Sequence, residues 1–309
     1  MDKFKSQYIL VVFILIGLIA NAQRVEVGLM IGGSNYLGDL SNEKILMKET
    51  HFSGSIFGRY NFSPKFAMKG YFGYGKVSGD DKNLISEKRD YLLKGVKMTG
   101  FEFNKYRNLN FYSDIYEFSL HAEYNFLKNE LSTYKARPFL PYVFIGLGIF
   151  NFNPKSNFGN NTVELQPLAT EGQGSTTYNE MKKYSLTAVC LPMGIGFRQK
   201  IGDDFFIGVE GGVRFTNTNY LDDVGGKYGS GSVIFGASGK TGVLMADRSW
   251  ELNPNSNPST ENPLATETFI FNEDDKRSDR TLNKTDMYFM AGITLSYTIR
   301  FRGQGCPTF

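Results

Sequence analysis

Imidazole and thiol chemistry in this 309-residue chain would have to come from His51, His121, Cys190 and Cys306, the only histidines and cysteines present. General-base work falls most often to histidine. The alternation described below sets His51 at the outer end of a strand, where a rim hydrolase would carry its base, and His121 in mid-strand facing inward. No G-x-S-x-G nucleophile turn accompanies either, so both read as satisfied or solvated side chains. Cys190 and Cys306 could pair in an exported protein, but one reads as mid-strand and the other as tail, which favours two free thiols. The acidic runs Asp80-Asp81, Asp222-Asp223 and Glu273-Asp274-Asp275 offer oxygen ligands without the spacing of a calcium loop. They read as solvated loop charge. The sequence therefore names no catalytic residue, no cofactor and no metal.

A second set of chemically active side chains is regular. Glu26, Arg59, Lys69, Glu117, His121, Glu123, Arg198, Glu210, Arg214 and Arg300 fall on the opposite parity to large apolar residues in their segments. In Met287 to Phe301 the apolar set is Met287, Phe289, Ala291, Ile293, Leu295, Tyr297, Ile299 and Phe301. That run exceeds an ordinary globular strand of about five to six residues and has the period and length of a strand crossing a bilayer.

The same alternation recurs upstream at Val25–Ile31, Ile56–Phe62, Phe66–Tyr74, Tyr116–Phe126, Val143–Ile149, Val189–Phe197 and Phe205–Phe215. Eight such segments predict an all-β fold, an eight-stranded antiparallel transmembrane β-barrel with long extracellular loops. The links after the second, fourth and sixth strands are short to moderate and those after the first, third, fifth and seventh are long, as in outer-membrane barrels. Both mature termini are then periplasmic. An eight-stranded barrel has room only for its own side chains, and buried charges are costly unless paired. The inward charges are thus expected to form a plugged ion-pair network, with a small pore as the lesser option. Pro192 faces inward beside Cys190 and suggests a bulge.

Composition agrees: Phe 27, Tyr 18, Gly 34 and a mean hydropathy of −0.28 suit a wall with one apolar face. A net charge of +3 argues against nucleic acid. Residues 1–22 carry Lys3 and Lys5, a short apolar run and the Ala20-Asn21-Ala22 site of a signal peptide. Residues 23–301 are then the barrel, 217–284 a mobile outer loop holding Trp250 as a solitary anchor, and 302–309 a periplasmic tail.

Several strand-end and loop segments are more specific. Gly32-Gly33-Ser34-Asn35-Tyr36-Leu37-Gly38-Asp39, Tyr74-Gly75-Lys76-Val77-Ser78-Gly79-Asp80-Asp81, Leu168-Ala169-Thr170-Glu171-Gly172-Gln173-Gly174, Tyr220-Leu221-Asp222-Asp223-Val224, Asp247-Arg248-Ser249 and the ending with Cys306 resemble the PorG proteins of the type IX secretion system. The resemblance implies a non-enzymatic integral outer-membrane protein that associates with a periplasmic ring of PorK and PorN type and is needed for export of proteins bearing a C-terminal secretion signal. Outer-membrane lipid would be its other partner, with no nucleic acid and no small-molecule substrate. Candidate ring contacts are Lys128, Glu130, Lys135 and Arg137 in the turn after the fourth strand, and Arg302 in the tail. The alternatives are a small plugged or narrow-pore barrel for solute passage or surface binding, a rim hydrolase using His51, and an adhesin using the outer loops.

Overall fold

The computed structural model describes residues 24–41, 44–84, 90–93, 96–127, 139–178, 181–202, 204–252, 271, 275–278 and 285–299. Among them lie strands β1 (Arg24–Leu37), β2 (His51–Asn61), β3 (Phe66–Asp80), β4 (Asp90–Leu93), β5 (Val96–Thr99), β6 (Asn110–Asn125), β7 (Leu140–Asn151), β8 (Lys155–Phe158), β9 (Asn161–Glu164), β10 (Thr187–Ile201), β11 (Phe205–Thr216) and β12 (Met287–Ile299), with helices α1 (Gly100–Arg107) and α2 (Gly231–Ala246). The wall runs β3-β2-β1-β12-β11-β10-β7-β6, and the β3–β6 pairing closes it into a barrel of eight strands, every neighbouring pair antiparallel. Closure leaves the wall no free edge, the condition for a sheet to exist in hydrocarbon. The alternating segments of the sequence are these eight strands.

The two ends differ. At the turn end, β2 passes to β3 through Ser63, whose Oγ accepts from the Lys65 and Phe66 amides, and β10 passes to β11 at Gly202, whose φ of 68° suits glycine. At the loop end the connections carry their own structure: hairpins β4–β5 and β8–β9, and both helices. Helix α1 starts at a capping box in which Thr99 Oγ1 accepts from the Glu102 amide and Glu102 accepts from the Thr99 amide.

The two faces of the wall divide as a bilayer demands. Outward residues are apolar and exposed, with Leu147 and Ile195 each 68 % accessible. Inward residues are buried. Large rings lie over inward glycines: a β-carbon at Gly194 or Gly212 would fall 2.6 or 2.7 Å from the Phe144 ring, and one at Gly196 2.5 Å from Tyr142. Glycine at these points makes room for side chains that fill the lumen.

Four readings of the sequence need correction. Gly32–Leu37 and Tyr74–Asp80 extend β1 and β3 rather than leaving them as loops. The connection after β11 contains α2, a Gly-rich segment whose two helical pieces meet at Gly239, with φ 66° and ψ −160°. Pro192 makes no bulge: Cys190↔Gly148 and Met193↔Ile145 keep one register, and only the pairing between them is interrupted because proline has no N–H to donate. Trp250 donates from Nε1 to the Leu244 carbonyl at 2.9 Å and meets Phe158 edge-on, so it belongs to a packed unit.

Candidate functional site: a charged lumen beneath a buried cap

The lumen charges sit where strand parity and register bring them together. Glu26, Arg59, Lys69, Glu117, His121, Glu123, Arg198, Glu210 and Arg214 are all buried. Arg300 lies outside the described residues. Toward the turn end a chain of ion pairs runs Arg198–Glu26 (2.6 Å), Glu26–Arg59 (2.8 Å), Arg59–Glu123 (2.6 Å), Glu123–Lys69 (3.2 Å) and Lys69–Glu210 (2.5 Å). Tyr142 donates its hydroxyl to Glu210 at 2.6 Å. Arg59 holds Glu123 side-on, Nε to Oε2 at 2.6 Å and Nη2 to Oε1 at 3.2 Å. Nearer the loop end, Arg214 Nε donates to Glu117 at 3.0 Å and Tyr288 donates to the same carboxylate at 3.1 Å. Among the described lumen residues four carboxylates face four cations, Arg59, Lys69, Arg198 and Arg214, and together they make a cross-linked fill.

Neither histidine is arranged as a base. Ser78 gives its one hydroxyl proton to Glu49, so the 2.6 Å contact between His51 Nε2 and Ser78 Oγ has the imidazole as donor. A nucleophile needs the opposite polarity. His121 repeats the pattern: Ser119 donates to Glu117 at 2.7 Å and receives from His121 Nε2 at 2.8 Å, while the ring stacks between Tyr71 and Phe144. Cys190 is a buried free thiol beneath Tyr288, and Cys306 lies outside the described residues.

The sequence reading missed the second half of the site. Apolar side chains form one core that runs from Met30, Tyr71 and Met290 inside the barrel into Leu40, Leu109, Phe152, Leu165, Leu221 and Met245 of the loop-end connections. Those connections close over the barrel as a cap. Two buried arginines tie it. Arg107, at the end of α1, clasps Asp81 through Nε (3.0 Å) and Nη2 (2.6 Å) and donates from Nη1 to the Arg277 carbonyl at 2.9 Å. Arg277 reaches Glu171 at 3.2 Å and Asp223 at 3.5 Å, and Asp223 also accepts from Thr170 and Tyr184.

Asp81, Asp222 and Asp223 are thus buried, not solvated as their sequence context suggests; Glu273 and Asp274 lie outside the described residues. Asp222 lies with Asp39 and Asp286 in a group whose carboxylate oxygens are within 4.8 Å of one another. The Tyr36 hydroxyl donates its one proton to Asp222 at 2.6 Å, with Asp286 Oδ1 3.1 Å away. Burial, with Asp286 and Asp39 beside it, pushes the Asp222 carboxyl well above the ordinary range. The signal for the cap was present in the sequence as glycine- and aspartate-rich segments far apart in the chain. What it lacked was their meeting point: Asp39, Asp81, Glu171, Asp222, Asp223 and Asp247, all buried, come from five separate segments. The turn and tail residues Lys128, Glu130, Lys135, Arg137 and Arg302 lie outside the described residues.

A closed eight-stranded antiparallel barrel with an apolar outer wall and a filled, charged lumen defines an outer-membrane β-barrel protein. The chain belongs to the family described as Domain of unknown function (DUF6089), whose model matches residues 5–234. No curated protein matches it. Among solved structures it is similar to the N-terminal β-barrel domain of Pseudomonas aeruginosa OprF, at 11 % identity over 89 % of this chain and 97 % of that one, with a TM-score of 0.32. Neisserial surface protein A is similar at 9 % identity over 91 % and 98 %, with a TM-score of 0.36. A major outer membrane protein from Thermus thermophilus is similar at 9 % identity over 89 % and 99 %, with a TM-score of 0.38.

Proposed function

We propose that this protein is a non-enzymatic integral outer-membrane component of the type IX secretion machinery, anchoring or positioning a PorK/PorN-type periplasmic ring. One observation carries the reading. The segments that resemble PorG proteins, scattered from Gly32 to Ser249 in the chain, supply Asp39, Asp81, Glu171, Asp222, Asp223 and Asp247, six of the buried acids of one cap. Segments that share a single packed unit are constrained together, which favours a common origin over coincidental likeness. In this proposal the turn end and both termini face the periplasm and offer the ring its contact. The filled lumen and the reversed polarity at His51 and His121 favour a scaffold over a channel or a hydrolase.

The test is affinity purification of the full-length protein from native outer membrane, with mass spectrometry of what accompanies it. Recovery of ring proteins, weakened by simultaneous charge reversal at Lys135 and Arg137, supports the assignment. Recovery of the barrel without ring proteins, in cells that retain the ring, overturns it. Unaltered recovery with the double reversal removes that turn from the contact.

A further inference from the structure

Gly58 and Gly70 face each other across β2 and β3, on the side of the wall that carries the large apolar residues. Glycine inside a strand weakens it, and it commonly marks a bulge or a point where another group comes close to the backbone. Pairing here has no bulge. It runs unbroken from Ser53↔Gly75 to Asn61↔Ala67 and from Phe66↔Tyr124 through Gly70↔Leu120, and neither glycine has a positive φ. The chain's own side chains do not account for the pair either. Outward glycines nearer the loop end are covered by their neighbours: a β-carbon at Gly33 would lie 3.0 Å from Thr50 Cγ2, one at Gly54 3.5 Å from the Phe52 ring and one at Gly211 3.4 Å from the Phe289 ring. A β-carbon at Gly58 would meet nothing within 4 Å, and one at Gly70 would make only ordinary contact, 3.8 Å from Leu120 Cδ2. The pair spanning an equal length of chain in the β10–β11 hairpin is Phe197 and Val209, so the wall itself does not demand glycine at this point.

The bare pair opens a groove of about 720 Å³ in the outer wall. Leu29, Ile56, Phe72 and Phe118 are successive partners in one register row and form its loop-end bank. Tyr297 and Val27 stand in the neighbouring row, which the two glycines continue without side chains. None of the lining residues is charged, and Ile56, Phe72 and Phe118 are exposed. The groove lies in the turn-end half of the wall, since Gly58 is close to the end of β2 and Gly70 close to the start of β3. It is continuous with the face that the bilayer covers, so its occupant comes from hydrocarbon. A trough left empty forfeits the dispersion contacts of every group that lines it. A methylene chain seated between the two rows recovers them.

We propose that this groove is the binding site of one phospholipid acyl chain from the leaflet at the turn end, seated against the bare backbone of Gly58 and Gly70. Ile56 and Phe72 flank the chain on its loop-end side.

The test uses full-length protein in phosphatidylethanolamine vesicles that contain a small fraction of the same lipid with a diazirine at mid-chain, photolysed and mapped by peptide mass spectrometry. Labelling at Ile56 and Phe72 is expected to exceed that at Phe197 and Val209 severalfold. Gly58→Leu combined with Gly70→Leu, which fills the groove, is expected to bring Ile56 and Phe72 down to the level of Phe197 and Val209, whose own labelling stays unchanged. Label spread evenly around the wall, or an excess at Ile56 and Phe72 that survives the double substitution, overturns the proposal. Should the double variant fail to fold, native mass spectrometry of the unsubstituted protein after exchange into lipid-free detergent decides. A phospholipid retained on the barrel sustains the site, and bare barrels or lipid-free dimers remove it.

Discussion

Arg107 and Asp81 form a two-point clasp, Nε to Oδ2 at 3.0 Å and Nη2 to Oδ1 at 2.6 Å, with the Leu109 amide donating to the same Oδ2 at 2.9 Å. The clasp joins the end of α1 to the top of β3 inside the cap, and both partners are buried. Removing one member leaves the other charged and dry. Arg107→Met is expected to cost the cap on the order of 3–5 kcal/mol while the barrel, whose wall hydrogen bonds do not involve this pair, keeps its heat-modifiable migration on gels. Limited proteolysis should cut the loop-end connections of the variant and spare those of the parent. Equal resistance would show that the clasp is dispensable.

The lumen offers a comparison between breaking and replacing a pair. Lys69 lies 3.2 Å from Glu123 and 2.5 Å from Glu210, with all three buried. Lys69→Met strands Glu210 and takes from Glu123 one of its two cations, Arg59 remaining, and is expected to lower barrel stability by roughly 3–5 kcal/mol; adding Glu210→Gln should recover part of that loss because the stranded charge is gone. Urea unfolding in lipid vesicles reads both, and a double variant no better than the single one refutes the coupling.

Facing is tested from outside. Leu147 and Ile195 are the most exposed of the large apolar residues on β7 and β10, each at 68 %. Arginine at either position is expected to cost about 2–4 kcal/mol if the site is at the bilayer midplane. The same substitution at Ile201, outward but at the turn end of β10, should cost only about 0–1 kcal/mol. Folding yield into vesicles distinguishes the outcomes.

Much of this wall was legible because a β-strand alternates its side chains, so a single parity error would have exchanged Glu210 with Val209 across the barrel wall. The cap was not legible, for a physical reason. Asp222-Asp223 in a polar stretch has the local signature of a turn, and its burial depends on Arg277 and Tyr36, which are distant in sequence and close only after the barrel has brought four connections to one end. Helix α2 hid for another reason. Gly231, Gly236, Gly239 and Gly242 weaken its intrinsic preference, and packing of Ile234, Val243 and Ala246 is what supports it. Pro192 was read for its missing N–H, yet the neighbouring pairs hold the register across the gap.

Asp222, beside Asp39 and Asp286, shares the pH response of the cap with Asp81, Glu171, Asp223 and Asp247, whose carboxyls burial also raises. Asp222 has its proton affinity raised in the folded state by burial and by its two acidic neighbours; Tyr36 is the hydroxyl facing it. A carboxyl whose folded value exceeds its unfolded one contributes stability that is fully present below the unfolded value of about 3.9 and is lost as pH rises through the folded value. Loop-end amide exchange should therefore quicken as pH rises through that window, after correction for intrinsic rates. Asp222→Asn is expected to reduce the dependence, leaving the part due to the other raised carboxyls, and to protect the cap at neutral pH. A variant with the parental pH profile would assign the response elsewhere.

The seam of the barrel joins β1 to β12 in an unbroken register from Val25↔Ile299 to Leu37↔Met287. The first and last strands of the wall are thus neighbours, and no hairpin of adjacent strands can complete the ring on its own. Every intermediate that lacks β12 carries two unpaired edges, on β1 and β11, and truncation within β12 is expected to yield degradation products rather than smaller barrels.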